Sequence, residues 1–254
     1  MSFEYLSVAD AIPRPGLRMV VVGKVPSPWG EAAKGIFHIK QIEWAAVRLV
    51  YDDDSLKEWA GQRSGPVAVF DREPPRSDWK DILLLAEQLA PTPPLLPATP
   101  SARERVLSLS AKFCGKEGLG WHRRLQVVNA SLQQSRLFSE RVAGYLGSKY
   151  GYDPAGAAEH DGHVHRLLGE FAAALRAQSG KAYYLGDTLS ALDVYSAAFM
   201  GMFKPLPESQ CAMDPSARAA FEWLDDETRA ALDPILLTHR DMMYTRHLET
   251  PLSL

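Results

Sequence analysis

The chain has 254 residues, 46% hydrophobic and 23% charged, an ordinary globular composition with enough length for one large domain or two modest ones. Lysine and arginine number 28 against 31 acidic residues, a net charge of -3 that lacks the basic footprint of a nucleic-acid binder. Cys114 and Cys211 are far apart in sequence and form no framework or metal-type pair, which suits a reducing compartment; the opening "MSFEYLSVADAIPRPG" has no secretory pattern, and no apolar run approaches the ~20 residues that span a bilayer, so a soluble cytoplasmic protein is expected.

Residues 17–23 are apolar, β-branched and bounded by glycines, which predicts a buried strand. A helix is expected over 29–41, where Ala33, Ile36, Phe37 and Lys40 recur at three- and four-residue spacing. A second strand is expected over 45–52, and then a short helix capped by Asp54 and closed by Gly61. "GPVAVFD" reads as a third strand. The turn "DREPP" then leads into "RSDWKDILLLAEQLA", a helix with Trp79, Ile82, Leu83 and Leu89 available for burial. The order describes a small mixed sheet with helices on both faces. "APTPPLLPATP" (90–100) follows; its five prolines fix φ and remove donors, predicting a stiff extended connector. Beyond it, "SARERVLSLSAKF", "GWHRRLQVVNASLQQSRLFSERVAGYLGSKY", "GHVHRLLGEFAAALRAQ", "SALDVYSAAFMGMF" and "PILLTHRDMMYTRHL" carry helical periodicity, so the second part is expected to be an all-helical bundle.

Two stretches stand out. In "VPSPWGEAAKGIF" (25–37), Ser27 sits at a strand-to-helix junction and is followed by Pro28. That pairing suits an ordinary helix cap, and it equally suits a hydroxyl aimed at a ligand. In "YYLGDTLSALDVYSAAF" (183–199), Ser190 and Asp193 stand three apart at the head of an apolar helix. They predict a capping box with aspartate in place of glutamate.

"PSPW" after the first strand, "GPVAVF" and "GDTLSALDV" together resemble the glutathione S-transferase superfamily, over about the whole chain from residue 17 onward. "PSPW" is similar to the "PSPF" of the plant tau class, although the arrangement as a whole fits a divergent bacterial-type or unassigned class. The resemblance implies a thioredoxin-like α/β domain (17–90) that binds glutathione, preceded by an extension (1–16). It also implies a proline-rich linker (91–100) and an all-α domain (101–254).

It further implies that Ser27 hydrogen-bonds the glutathione sulfur and favours the thiolate, the nucleophilic form. Serine cannot form a mixed disulfide, so thiol–disulfide chemistry at that position is excluded. Pro66 matches the family's cis-proline, with Gly65 where valine is usual, and Trp29 and Val67 fall among the glutathione-binding positions. A gapless reading from Pro66 puts Ser77 and Asp78 where the family holds the γ-glutamyl group. There Ser77 is expected to cap the helix, while Asp78 grips the ammonium group or competes with the carboxylate.

Trp121 and Arg124 in "GLGWHRRLQ" fall where the family's second substrate sits, and an arginine there suits an acidic substrate; solvation of the helix is the plainer alternative. His160, His163 and His165 are dense enough to consider a metal, but a solvated helix start is the favoured reading and no metal is expected. Met200, Met202, Met242 and Met243 read as core.

The resemblance implies a transferase that conjugates glutathione to a small apolar electrophile. Two alternatives stay open: a transferase-fold binding protein without turnover, and a glutathione-dependent isomerase, dehalogenase or ether-cleaving enzyme. No nucleic-acid or membrane partner is expected. A twofold homodimer is, with Phe70, Arg72 and the outer face of "RSDWKDILLLAEQ" set against Arg103 or Arg105 of the partner.

Overall fold

The structure is a computed structural model and describes residues 4–135 and 137–254. Residues 1–3 of the expected extension lie outside the described residues, as does Arg136 in the expected helical bundle. β1 (Leu17–Val21) is the central strand of a three-stranded sheet, parallel to β2 (Trp44–Arg48) and antiparallel to β3 (Val67–Phe70), in the order β2-β1-β3. Every residue of β1 is buried because both faces of the sheet are covered.

Side chains alternate between those faces. Val20, Val47, Val67 and Val69 meet α1 (Val8–Ala11) and α3 (Asp54–Ala60) through Ala11, Leu56 and Ala60. Leu17, Met19, Val21, Ala46 and Ala68 face α2 (Pro28–Ile39) and α4 (Trp79–Leu89), in a core that runs on into the helices after residue 100. The described part of the extension is integral to the sheet: the Leu6 amide donates to Ala46 at 2.9 Å, and Ala11 is fully buried. Asp53, not Asp54, caps α3, accepting from the Leu56 amide at 3.1 Å, and Gly61 closes the helix at φ 75°.

Past β3, Pro74 and Pro75 remove two backbone donors, and the sheet edge shrinks to one bridge, Ala68 with Arg76, bonded both ways at 2.8 Å. The proline-rich connector lies flat on the protein. Lys40, paired with Glu87 at 2.6 Å, donates to the carbonyls of Ala90 and Pro93, and the Leu95 carbonyl accepts from Ala191.

The helical part comprises α5 (Pro100–Cys114), α6 (Leu119–Ala130), α7 (Glu140–Tyr150), α8 (Ala157–Arg176), α9 (Ala191–Met200), α10 (Pro215–Glu222), α11 (Asp226–Ala231) and α12 (Pro234–Arg246). The long helical pattern from Trp121 to Tyr150 breaks after α6 into a π-helical turn, Ser131–Ser135. The Ser131 hydroxyl donates back to Val127 at 2.7 Å and accepts from the Phe138 amide at 3.2 Å, so a side chain takes over backbone partners there. α2 is the hinge of the architecture, with the sheet on one side and α9 on the other. The missing side chain of Gly35 allows this approach, since a Cβ there would lie 2.7 Å from Leu248 and 3.1 Å from Val194.

α9 begins with the expected capping box. Asp193, fully buried, accepts from the Ser190 amide at 2.9 Å and the Ser190 hydroxyl at 2.8 Å. Its second oxygen accepts from the Tyr184 amide at 3.0 Å and meets His239 of α12 at 3.1 Å. One carboxylate thus ties three segments together. The methionines read as core are core: Met200, Met202 and Met243 are buried, and Met242 packs against the same cluster.

Candidate active site

Ser27 stands at the N-cap of α2 with an extended backbone, and its carbonyl accepts the first helical bond, from Glu31 at 2.7 Å. Its side chain does not cap the helix, whereas Ser7, Asp53, Asp78 and Ser139 each cap theirs through the side chain. The half-buried Ser27 hydroxyl has no hydrogen-bond partner among the described residues. It therefore retains a donor at the positive end of a twelve-residue helix dipole. The loop before it is held from the helical part, where the Asp214 amide donates to the Lys24 carbonyl at 3.0 Å.

Gly65–Pro66 is cis, at the position the resemblance gives it. Gly65 crosses the end of β1 closely enough that a Cβ would lie 3.1 Å from the Val20 carbonyl. Val67 pairs with Val20, and its side chain is fully buried in the outer core, so only its backbone is available to a ligand.

Trp29 reaches the other way. Its indole N–H donates to the Cys114 carbonyl at 2.9 Å, and its ring meets Phe199 edge-to-face at 5.0 Å and Tyr150 at 6.3 Å. Gly120 makes room for it: a Cβ there would lie 2.3 Å from Phe199 and 3.1 Å from Trp29.

The link continues to α4. The Tyr195 hydroxyl donates to the Trp79 carbonyl at 3.1 Å and the two rings meet edge-to-face at 5.4 Å, while Asp78 acts electrostatically on both Cys114 and Tyr195. The start of α2 is thus tied to α5 through Trp29 and Cys114, and the start of α4 to α9 through Tyr195. Burial, reinforced by Asp78, pushes the Cys114 thiol well up, and burial pushes Cys211 up to about 11, so neither cysteine is a thiolate at neutral pH.

The expectation that Ser77 caps α4 is overturned. Asp78 is the N-cap and accepts from the Lys80 amide at 2.8 Å, leaving Ser77 exposed one residue earlier. The tight Ala68–Arg76 bridge holds the chain extended up to Arg76, so the helix starts later than the serine. The carboxylate of Asp78 already occupies one amide at that end.

Trp121 and Arg124, one helical turn apart on α6, pack against other helices rather than solvent, Trp121 against α7 and Arg124 against α10. The Trp121 indole donates to the Tyr150 carbonyl at 3.0 Å with the rings edge-to-face at 4.6 Å, and the Arg124 guanidinium lies 5.3 Å over the Phe221 ring. Arg123, by contrast, is fully buried and spends its donors on Gln126 and the carbonyls of Met202, Phe221 and Trp223. It is a structural residue of the bundle.

The three histidines part company. His160 meets His122 of α6 at 3.0 Å and His163 stacks on the same ring at 4.2 Å, whereas His165 turns to Thr228 at 3.0 Å. Burial, then His163 and His160, push His122 down to about 4, so it is neutral at pH 7. Among the described residues, no group of three or more histidine, cysteine or acidic side chains is placed to hold a metal ion.

Solved structures share the overall fold. A glutathione S-transferase from Methylobacterium radiotolerans, in complex with glutathione sulfonate, is 18% identical and superposes over 91% of each chain with a TM-score of 0.59. A glutathione transferase family member from Pseudomonas fluorescens, with two glutathione molecules bound, is 11% identical over 89% of this chain and 97% of its own, TM-score 0.55. A tau-class glutathione S-transferase from mango (Mangifera indica) is 15% identical over 91% of this chain and 98% of its own, TM-score 0.52. The chain has the glutathione S-transferase fold. No protein-family model and no curated protein matches its sequence.

In this transferase fold, several residues of the site carried no signal in the sequence. Cys114, Tyr195, Phe199 and Tyr150 join the two parts of the chain but sit in unremarkable helical patterns. Gly120 carried one: a glycine inside a helix beside a tryptophan marks a close approach.

Proposed function

We propose that the protein conjugates glutathione to a small electrophile and that Ser27 stabilises the glutathione thiolate. The observation that carries this reading is the Ser27 hydroxyl, unengaged at the start of α2. Its O–H donates to the sulfur and the helix field favours the anion, lowering the thiol pKa. The thiol proton passes to solvent. The sulfur lone pair forms the new C–S bond as the leaving group departs with its own bonding pair. The backbone around Gly65, Pro66 and Val67 holds the cysteinyl part, Asp78 takes the ammonium of the γ-glutamyl group, Ser77 donates to its carboxylate, and Trp29 braces the junction. No step calls for a metal.

The reading includes a cytoplasmic homodimer, consistent with two free cysteines and with the absence, among the described residues, of any helix long and apolar enough to cross a membrane. Phe70 is only half-buried and packs against its own core, so part of its ring remains available to a partner.

A second reading, a binding protein without turnover, is favoured by one observation: the Asp78 carboxylate already caps α4. Calorimetric titration with glutathione, paired with a conjugation assay on 1-chloro-2,4-dinitrobenzene, separates them. Saturable binding with turnover is the expected result. Binding without turnover selects the second reading, and absence of binding overturns both.

A further inference from the structure

Three imidazoles are packed together where the first turns of α6 and α8 meet. His122 of α6 is 4% exposed, and its Nδ1 lies 3.0 Å from Nδ1 of His160. The His163 ring lies flat on the His122 ring, with centroids 4.2 Å apart and planes 10° from parallel. Of the two facing Nδ1 atoms one donates and the other accepts, so both cannot carry a proton. Arg166 has only donors to offer and meets His163 Nδ1 at 3.2 Å, so that nitrogen accepts. His122 Nε2 is buried with no hydrogen-bond partner, so an imidazolium at His122 leaves a buried N–H unbonded. Neutral rings fit this stack and charged ones do not.

Position sharpens the penalty. His122 is the fourth residue of α6 and His160 the fourth of α8, so both rings stand at helix starts, where the backbone dipole opposes a positive charge. Glu117, ahead of α6, lies 3.7 Å from His122 Nε2, beyond hydrogen-bond reach, and its side chain is 88% exposed. Glu159 of α8 faces His163 at 3.5 Å with 74% of its side chain exposed, so water screens both acids. Asp161 attracts His160, and Arg166, paired with Glu170, adds a cation beside His163. Burial, with His163 and His160 after it, outweighs Glu117 and Glu159 and holds the His122 imidazole down at about 4.

The same turn of α6 supports the candidate site. Gly120, two residues before His122, is where Phe199 and Trp29 approach the helix, and the Trp121 indole ties the turn to Tyr150. Trp29 belongs to the first turn of α2, two residues beyond Ser27.

We propose that this histidine stack is an acid-sensitive latch: its neutral rings hold the start of α6 against α8, and their protonation frees that turn and with it the packing of Trp29. Resting on the reading of the α2 start as a glutathione site, this makes glutathione binding weaken in acid.

The latch is tested first without ligand. Above about pH 6.5 His122 is neutral in folded and unfolded chains alike; between there and about 4 only the unfolded chain takes up the proton, so stability falls as pH falls through that window. Urea unfolding at about pH 7.5 and about pH 5 should show the folding equilibrium of the wild type dropping about tenfold further than that of His122→Phe, which keeps a ring without the titration. Hydrogen exchange of the α6 amides, corrected for the intrinsic effect of pH, should quicken in acid in the wild type and not in His122→Phe. His163→Gln, at the more exposed ring, covers the case in which His122→Phe does not fold, and should remove about two- to fivefold of the acid loss. An acid loss in His122→Phe as large as the wild type's, the same result in His163→Gln where the first variant does not fold, or unchanged exchange of α6 overturns the proposal. Binding is then followed with S-methylglutathione, which has no thiol to titrate. The wild type should bind it about fivefold more weakly at about pH 5.5 than at about pH 7.5, and His122→Phe less than about twofold. Equal wild-type affinity at the two pH values overturns the proposal. Absence of binding at both overturns the glutathione reading, and the unfolding and exchange results then decide the latch by themselves.

Discussion

At the start of α9, the Ser190 amide and hydroxyl both meet Asp193, and the second oxygen of that carboxylate takes the Tyr184 amide and meets His239. At the start of α2, Ser27 occupies the same cap position and its hydroxyl has no partner among the described residues. Both helices open with a serine and both press into one continuous core. The difference lies in what the sequence places three residues later. Asp193 can turn back on its serine, whereas the residue three beyond Ser27 is Gly30, which has no side chain to do so. The acid of that first turn, Glu31, is drawn away to Lys34 at 2.6 Å. A closed helix start builds the fold. An open one leaves a donor and a positive field for something outside the chain.

The hardest way to strain this contrast is at the closed end. Asp193→Ala strips four groups of a buried partner and is expected to cost about 3–5 kcal/mol, read by urea or thermal unfolding. A cost under ~1 kcal/mol would mean that the α9 start is not the fixed point it is taken to be here. Gly120→Ala pushes a methyl against Phe199 and Trp29, the packing that holds the open start against the helical part. About 1–3 kcal/mol of destabilisation is expected, together with weaker glutathione binding as Trp29 shifts.

The start of α4 is an intermediate case, closed by an exposed carboxylate. Asp78→Asn keeps a good cap, so stability should hold within about 0.5 kcal/mol while glutathione binding weakens roughly three- to tenfold through loss of the charge facing the ammonium. Tighter binding in this variant would show that Asp78 repels the γ-glutamyl carboxylate and would move the protein toward the binding-only reading. Assembly gives a separate check on the outer surface: light scattering should return twice the 28.1 kDa chain mass, and Phe70→Ser should shift the protein toward monomer. A wild-type mass of one chain removes the dimer.

Much of the architecture was legible because it rests on local signals. β-branched runs set β1 and β3, five prolines marked the connector, and Ser190 with Asp193 announced α9 three residues ahead of its core face. The misses come from competition between neighbours. Asp53 and Asp54 are equally good caps in sequence, and so are Ser77 and Asp78. Which one acts depends on where the preceding strand or bridge releases the chain, a tertiary fact. The break after α6 had the same origin, in a serine hydroxyl substituting for the backbone. At the site, Ser27 and Pro66 were readable from their motifs. Whether a serine caps its own helix or leaves its hydroxyl open is decided by side-chain orientation, and Arg123 and Arg124 differ only in which way a helix turns them.

Ser27→Ala bears on the open start most directly. Folding stability is expected to stay within about 0.5 kcal/mol, because no cap bond is lost. The decisive quantity is the pKa of glutathione bound to wild-type and Ser27→Ala protein, followed by the ultraviolet absorbance of the thiolate across pH. A hydrogen bond to a charged acceptor is worth about 1.5–3 kcal/mol, so the bound thiol should titrate roughly 1–2 units higher in the alanine variant. Identical titration curves for the two proteins would contradict the account.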